Sequence, residues 1–158
     1  MDASVDYAVR KFVFDSVREA GCIPLPGWRY VQRLDAAEYH MVCFEMRIQT
    51  HCEAYVLLTA LLIYNDKTAK VDVVETWQEN QLGQFSSMWI SSTGKSVYYR
   101  GVTENPTRRS DSRDWVLSQV RLADLQIRVK SGYSGVWREC WTQEGDNYKH
   151  FLNAIRRA

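Results

Sequence analysis

The sequence has 158 residues, of which 46% are hydrophobic and 25% are charged, and these proportions are typical of a globular protein with its own core. The formal net charge of +1 excludes a global electrostatic field that would draw the whole chain to nucleic acid or to a membrane surface. We therefore expect a single domain over residues 1–158 that has no membrane partner.

The four cysteines are scattered, and no two have the C-x-x-C spacing of a zinc or redox motif. A secreted disulfide scaffold of this length would contain more cysteine. The first six residues have neither a basic start nor the apolar stretch of a signal peptide. The reducing cytoplasm is therefore the expected location, although the sequence leaves open whether Cys43 and Cys52 form a bridge.

Residues 4–20 are predicted to form an amphipathic helix. Ser4 is its expected N-cap, Asp6 lies in the first turn where the helix dipole favours an anion, and Gly21 follows its end. The apolar face is expected to pack on a sheet, and a membrane-surface or partner helix is the alternative. Its apolar residues recur at helical spacing: Val5, Val9, Phe12, Val13, Val17 and Ala20.

Residues 22–27 contain two prolines and a glycine, which argue against regular structure. A first strand is predicted over 28–34, and 35–38 form a turn. Residues 39–77 are then predicted to form three antiparallel strands. The first of these has the two-residue period of a strand with one buried face, with its apolar positions at Val42, Phe44, Met46 and Ile48.

The middle run, residues 54–64, is apolar on both parities, as in a strand covered on both sides or in a buried helix. The alternating segments on either side favour a central strand. After a turn at 65–68, Val71, Val73 and Trp77 continue the alternation in the third strand.

Residues 88–90 and 97–99 are predicted to pair as a hairpin with a polar tip at 91–96. Residues 103–114 contain no apolar side chain and are expected to form a long solvated loop.

The sequence leaves 115–122 open between helix and strand. Further strands are predicted over 125–130 and 136–141, with a turn at 131–135. A short helix begins at Asp146 and carries apolar residues at Tyr148, Phe151, Leu152 and Ile155.

These elements predict an α+β fold in which a long N-terminal helix packs on a curved antiparallel sheet of about six or seven strands, followed by a short C-terminal helix. A helix followed by long meandering strands is similar to the cystatin-like and nuclear-transport-factor-like layouts. The Gln-x-Val-x-Gly loop of the cystatin inhibitors is absent. Protease inhibition is therefore not implied by the resemblance.

Two patterns of known chemistry are incomplete. Gly94-Lys95-Ser96 ends like a phosphate-binding loop, but Trp89 stands where the motif needs glycine, and a β-prone segment follows. A hairpin tip explains these residues better.

A zinc site built from His40, Cys43, His51 and Cys52 would need ligands that converge, whereas each His–Cys pair points to opposite faces of a strand. Strand parity likewise argues against an acid–base pair of His40 with Glu45. Cys43 is expected to be a packed side chain, and we expect no catalytic residue, no metal and no cofactor.

Arginine stands beside an aromatic residue in Trp28-Arg29-Tyr30, Tyr98-Tyr99-Arg100 and Trp137-Arg138, a pattern also found where single-stranded nucleic acid is bound. Neighbours on a strand face opposite ways, so aromatic residues inside and arginines in water is the simpler interpretation. The basic, serine-containing segment 107–113 is a possible docking or phosphorylation loop within 103–114.

The sequence therefore favours a non-catalytic protein-binding module: an inhibitor, an immunity-type protein or an accessory protein whose partner is another protein. One alternative is a small apolar ligand, held in a cone lined by Tyr30, Met46, Tyr55 and Trp77. Another is single-stranded nucleic acid. The candidate binding residues lie on or beside the two polar loops: Trp89, Tyr98, Tyr99, Arg100, Arg108 and Arg109.

Overall fold

The computed structural model describes residues 2–50, 55–78, 85–101, 116–131, 135–140 and 145–157. The chain divides into two compact units. The first contains Met1–Asn80 and Gly145–Ala158, and the second contains Gln81–Glu144. Each unit has its own five-stranded antiparallel sheet, which confirms the α+β class. The prediction of a single domain over 1–158 stays a prediction.

The first unit combines two helices with a sheet. Its strands alternate between inward and outward side chains, whereas its helices repeat apolar residues every three or four positions. The elements are α1 (Ala3–Glu19), β1 (Ile23–Pro24), β2 (Arg29–Ala36), β3 (Tyr39–Gln49), β4 (Tyr55–Asn65), β5 (Lys70–Gln78) and α2 (Asp146–Arg157).

The predicted meander over 39–77 is confirmed, with β4 paired along its length between β3 and β5. β1 and β2 both pair with β3 on its other edge. The pairing of β4 with β5 shifts by one residue between Leu61 and Leu62, as at a β-bulge, since Leu61 pairs with Glu75 and Leu62 pairs with Val73. On β4, Ala60, Leu61, Leu62 and Ile63 are all buried, which confirms that this strand is covered on both faces.

The N-cap of α1 is Asp2, so the prediction of Ser4 was wrong. The Asp2 carboxylate accepts hydrogen bonds from the backbone N–H of Ser4 at 2.7 Å and from its hydroxyl at 2.6 Å. An ionised carboxylate accepts more strongly than a hydroxyl, and the two bonds hold the pKa of Asp2 below its ordinary value. Gly21 follows the helix with φ of 82°, as expected for the residue after a C-cap.

Both helices cover the same face of the first sheet. The buried positions of α1 are spaced four residues apart, at Val5, Val9, Val13 and Val17. They share one core with residues on β3 and β4 and with Phe151 of α2. The confirmed amphipathic face of α1 therefore packs on a sheet.

The second unit is a meander of neighbouring antiparallel strands. The predicted hairpin is confirmed, and Gly94 at its tip has φ of 72°, which favours glycine. The strands are β6 (Phe85–Ile90), β7 (Ser96–Gly101), β8 (Val116–Arg121), β9 (Ile127–Ser131) and β10 (Arg138–Cys140).

Three details of the sequence prediction change. The open segment 115–122 contains strand β8. The connector 22–27 is not free of regular structure, because Ile23 and Pro24 pair with Gln49 and Ile48. The described residues form ten strands in two sheets instead of six or seven in one sheet, because the second group of strands pairs within itself. The predicted curvature stays a prediction, and the loop 103–114 lies outside the described residues.

Removing the Phe151 side chain tests whether α2 belongs to the core of the first unit. Phe151 is fully buried, and its ring lies 6.4 Å from the ring of Phe12. We expect Phe151→Ala to lower the free energy of unfolding by about 3–5 kcal/mol in urea denaturation. Tyr7→Ala, at an aromatic position that is 68% exposed, is the control and should change it by less than about 0.5 kcal/mol. Equal effects of the two variants would contradict this packing.

Candidate functional site

The second sheet separates its side chains by strand parity. Tyr99, Ser118 and Val129 are cross-strand neighbours and are buried. The intervening positions project from the opposite side, which we call the exposed face. One residue from each strand forms a continuous row across this face: Trp89, Tyr98, Gln119, Arg128 and Glu139.

Three aromatic rings form the centre of the exposed face. The rings of Trp89 and Tyr98 stack with their centroids 5.8 Å apart and their planes 18° apart. The ring of Trp137, just before β10, lies 6.2 Å from Tyr98. We call these three residues the aromatic ladder. Trp89 is its most accessible member, with 40% of its surface exposed.

Cations accompany the aromatic ladder. The guanidinium of Arg128 lies 4.5 Å from the ring centre of Trp137, and the Lys130 ammonium lies 5.4 Å from it. Both distances are within the range of cation–π attraction. Arg128 Nε also donates to Gln119 Oε1 at 2.5 Å, so two contacts fix its orientation. Arg100, two residues after Tyr98, is exposed on the same face.

Beside the aromatic ladder the exposed face forms a polar concavity of about 610 Å³. Arg121 and Asp124 form a bidentate ion pair in it, with N–O distances of 2.8 and 2.5 Å. This ion pair holds the pKa of the Asp124 carboxyl below its usual range. The concavity is lined by Ser96, Gln119, Arg121, Asp124, Gln126, Arg128 and Glu139.

The structure brings some of the sequence-predicted binding residues together and separates others. Trp89, Tyr98 and Arg100 lie on the exposed face. Tyr99 points to the opposite side and is 1% exposed, so it cannot contact a partner on this face. Arg108 and Arg109 lie outside the described residues.

Sequence reasoning missed Gln119, Arg128 and Lys130, and it named Trp137 only in the arginine–aromatic pattern and not as a candidate binding residue. The alternation of Arg128 and Lys130 with buried Ile127 and Val129 was the available signal for a polar face. Cross-strand register then brings Arg128 opposite Gln119 and Glu139, and no local pattern specifies that register.

The other arginine–aromatic group lies in the first unit, where it joins α1 to β2. Asp6 of α1 accepts hydrogen bonds from the hydroxyl of Tyr30 and, at 3.0 Å, from Arg10 Nε. Trp28 stacks on Phe44 at 4.4 Å, and the guanidinium of Arg10 lies 5.1 Å from its ring centre. Burial and the bond to Asp6 raise the pKa of Tyr30, so it remains a neutral donor. This group contributes to the fold.

The residues considered for a metal or an acid–base pair do not converge. His40 lies on the helix-covered face of the first sheet, whereas Cys43 and Glu45 lie on the opposite face. Burial raises the pKa of the Cys43 thiol, so it is a poor nucleophile. No group of three metal-ligating side chains occurs among the described residues. His51 and Cys52 lie outside the described residues, so whether Cys43 and Cys52 form a bridge stays open.

The proposed ligand cone is not assembled in the first unit. Met46 and Trp77 are both fully buried, but they lie on opposite faces of the sheet. Tyr55, near the start of β4, is 67% exposed. These side chains cannot line one cavity.

His40 connects three parts of the first unit. Its Nδ1 lies 2.7 Å from Asp35 Oδ1 on β2, and its Nε2 lies 2.7 Å from Asp66 Oδ2 in the β4–β5 turn. Partial burial disfavours the imidazolium, but the two carboxylates outweigh it and raise the pKa of His40. Protonated His40 therefore donates to both carboxylates.

Comparison with protein-family models, with curated proteins and with solved structures finds no match. The resemblance to the cystatin-like and nuclear-transport-factor-like layouts therefore stays a prediction about element order. Neither helix in the described part of the chain is long and apolar enough to cross a bilayer.

The raised pKa of His40 predicts a pH-dependent contribution to stability. The stabilisation is complete below the ordinary histidine pKa of about 6.5 and is lost as pH rises through the higher folded-state pKa. Wild type should therefore exceed His40→Gln in free energy of unfolding by more at pH 5.5 than at pH 8.5. The difference should be on the order of 1 kcal/mol or less, because Asp35 and Asp66 are 69% and 45% exposed.

Urea denaturation of both proteins at the two pH values measures this effect. His150→Gln is the matched control, since it removes the same residue type from an exposed position of α2. A His40→Gln effect that is independent of pH would show that the carboxylates do not stabilise the imidazolium.

Proposed function

We propose that this chain is a non-catalytic protein-binding module that binds another protein on the exposed face of its second sheet. One observation carries the proposal: the aromatic ladder, in which Trp89 and Tyr98 stack, is accompanied by cations on the accessible side of the sheet. Trp, Tyr and Arg are the residues that most often dominate the binding energy of protein interfaces. An inhibitor, an immunity-type protein or an accessory protein acting in the cytoplasm would use such a face.

The ladder supports binding because its rings are already ordered. Trp89 and Tyr98 are held by strand pairing and by their mutual stacking, and cation–π contacts hold Trp137. Ordering a flexible side chain on association costs about 0.5–1.5 kcal/mol. A preformed surface avoids much of that cost.

The charges of the face indicate the chemistry of the partner. Arg100 is exposed, and Lys130 lies beside Trp137. A partner that places apolar or aromatic groups on Trp89 and acidic side chains near Arg100 would complement this surface. Electrostatic complementarity of this kind raises the association rate and helps to select the partner.

Single-stranded nucleic acid would use similar aromatic and cationic groups, but two features favour a protein. Arg121 is paired with Asp124, and Arg128 donates a hydrogen bond to Gln119. Both guanidinium groups therefore already have partners and are less available to a phosphate. The net charge of +1 also supplies little non-specific attraction. A protein is therefore the favoured partner.

The test compares wild type with Trp89→Ala/Arg100→Ala in affinity capture from lysate of the source cells, with and without nuclease treatment, followed by quantitative mass spectrometry. Tyr7→Ala/Arg18→Ala is the matched control, since it removes an exposed aromatic residue and an exposed arginine from α1. We expect a defined protein to be retained by wild type and by the control and to be lost from the double variant.

The captured protein, once purified, should bind the double variant at least about 30-fold more weakly in biolayer interferometry, as hot-spot residues predict. Retention of no specific protein would overturn the proposal. So would equal retention by the two double variants. Capture that disappears after nuclease treatment would indicate a nucleic-acid partner instead.

A further inference from the structure

The first sheet exposes apolar side chains at one end of its face opposite the helices. Ile23 of β1 and Tyr55 of β4 are the cross-strand neighbours of Gln49 on β3, one on each side of it. Ile23 is 57% exposed and Tyr55 is 67% exposed, although both are large and hydrophobic. Neighbouring exposed apolar groups on a folded protein mark binding surfaces, whereas single ones are common everywhere. This end of the sheet is therefore a candidate site.

The adjacent cross-strand row places a cation between two leucines. Arg47 of β3 pairs with Leu57 of β4. On its other side, the carbonyl of Arg47 accepts a hydrogen bond from the backbone N–H of Leu25 at 3.0 Å. Both leucines are half-buried, whereas Arg47 is exposed. The side chain of Arg47 therefore leaves the sheet between apolar neighbours, and its charged end reaches water.

These residues line a cavity of about 440 Å³. Small-molecule sites have volumes of about 300–1,000 Å³, and most of their lining is apolar. In such sites the apolar groups contribute contact area, and a few polar groups fix the orientation of the ligand. The lining from the described part of the chain follows this pattern and consists of Leu25, Pro26, Arg47, Tyr55, Val56 and Leu57.

The guanidinium of Arg47 is available to a ligand. Its side chain forms no hydrogen bond or ion pair with any side chain that the structure describes. Glu45 lies two residues earlier on the same face of β3, but its carboxylate accepts from Arg29 Nε at 2.6 Å. A free guanidinium can donate two parallel hydrogen bonds to one carboxylate or phosphate group. Arg47 therefore supplies the polar contact that orients a ligand in this cavity.

We propose that this cavity binds a small amphiphile, whose anionic head accepts hydrogen bonds from Arg47 and whose apolar chain lies against Leu25, Leu57 and Tyr55. The ring of Tyr55 offers a large apolar surface at the rim of the cavity. A carboxylate or a phosphate would serve as the head, because both match the guanidinium. The site goes beyond the proposed protein partner, since it belongs to the first unit and shares no residue with the aromatic ladder.

The experiment titrates the full chain, labelled with ¹⁵N, with four probes that share an eight-carbon chain and differ in the head group: octanoate, octyl phosphate, octan-1-ol and octylammonium. NMR follows the backbone amides and the arginine Nε–H groups. We expect octanoate or octyl phosphate to cause saturable shifts at Leu25, Arg47 and Tyr55, with a Kd on the order of 1 mM or tighter. The anion that binds more tightly identifies the head group.

The two other probes measure the contribution of the charge. Octan-1-ol should bind about 3- to 10-fold more weakly than the preferred anion, because a neutral hydroxyl makes no charge-assisted hydrogen bond with an exposed guanidinium. Octylammonium should bind more weakly still, since it places a like charge beside Arg47.

Variants of the lining separate the two kinds of contact. Arg47→Gln should abolish the preference for the anion over octan-1-ol, whereas Tyr55→Ala should weaken all four probes because it removes apolar surface. Arg18→Gln and Tyr7→Ala are the matched controls, since they change an exposed arginine and an aromatic residue of equal exposure on α1. Both controls should bind the anions as wild type does.

The proposal is overturned if neither anion causes saturable shifts, or if the shifts lie away from the cavity. It is also overturned if octan-1-ol or octylammonium binds as tightly as the anions, or if Arg47→Gln keeps the preference for the anion. Trp89→Ala/Arg100→Ala should bind the anions with unchanged Kd, and Arg47→Gln should still retain the captured protein. Failure of this site and failure of the proposed protein site can therefore be distinguished.

Discussion

The burial of β4 on both faces is the constraint on which the first unit depends. Its apolar residues occupy both parities, and its backbone pairs with β3 on one side and β5 on the other. A one-residue slip of either partner would exchange its inward and outward side chains. The fixed register places the apolar face of β3 under α1 and brings His40 between Asp35 and Asp66.

The second sheet has the same two-residue period of side chains, but its two faces differ in character. One side buries Tyr99 and its neighbours, whereas the other carries aromatic rings, cations and a polar concavity. Regular strands hold those groups at fixed spacing, so their stacking and ion pairs form without a partner. That preorganisation is the physical reason why this face, and not the helix-covered sheet, is the candidate site.

Local chemistry explains both the successes and the errors of the sequence prediction. Alternation predicted β3 and β9, and helical spacing predicted α1 and α2, because each pattern reflects one buried side. Tyr98 and Tyr99 were both candidates, but adjacent strand residues must face opposite ways, and only Tyr98 lies on the exposed face. The choice between Asp2 and Ser4 as N-cap depended on where the first helical turn begins, which propensity alone does not specify.

The sequence by itself determined the α+β class, most of the helices and strands, and the polarity of each strand face, because these depend on periodicities of a few residues. Tertiary structure decided the division into two sheets and the meeting of Trp89, Tyr98 and Trp137 in one ladder. It also decided the assembly of the polar concavity from residues more than forty positions apart in the chain, since Ser96 and Glu139 both line it. Cross-strand register brings such residues together, and register follows from the pairing of whole strands and not from any local pattern.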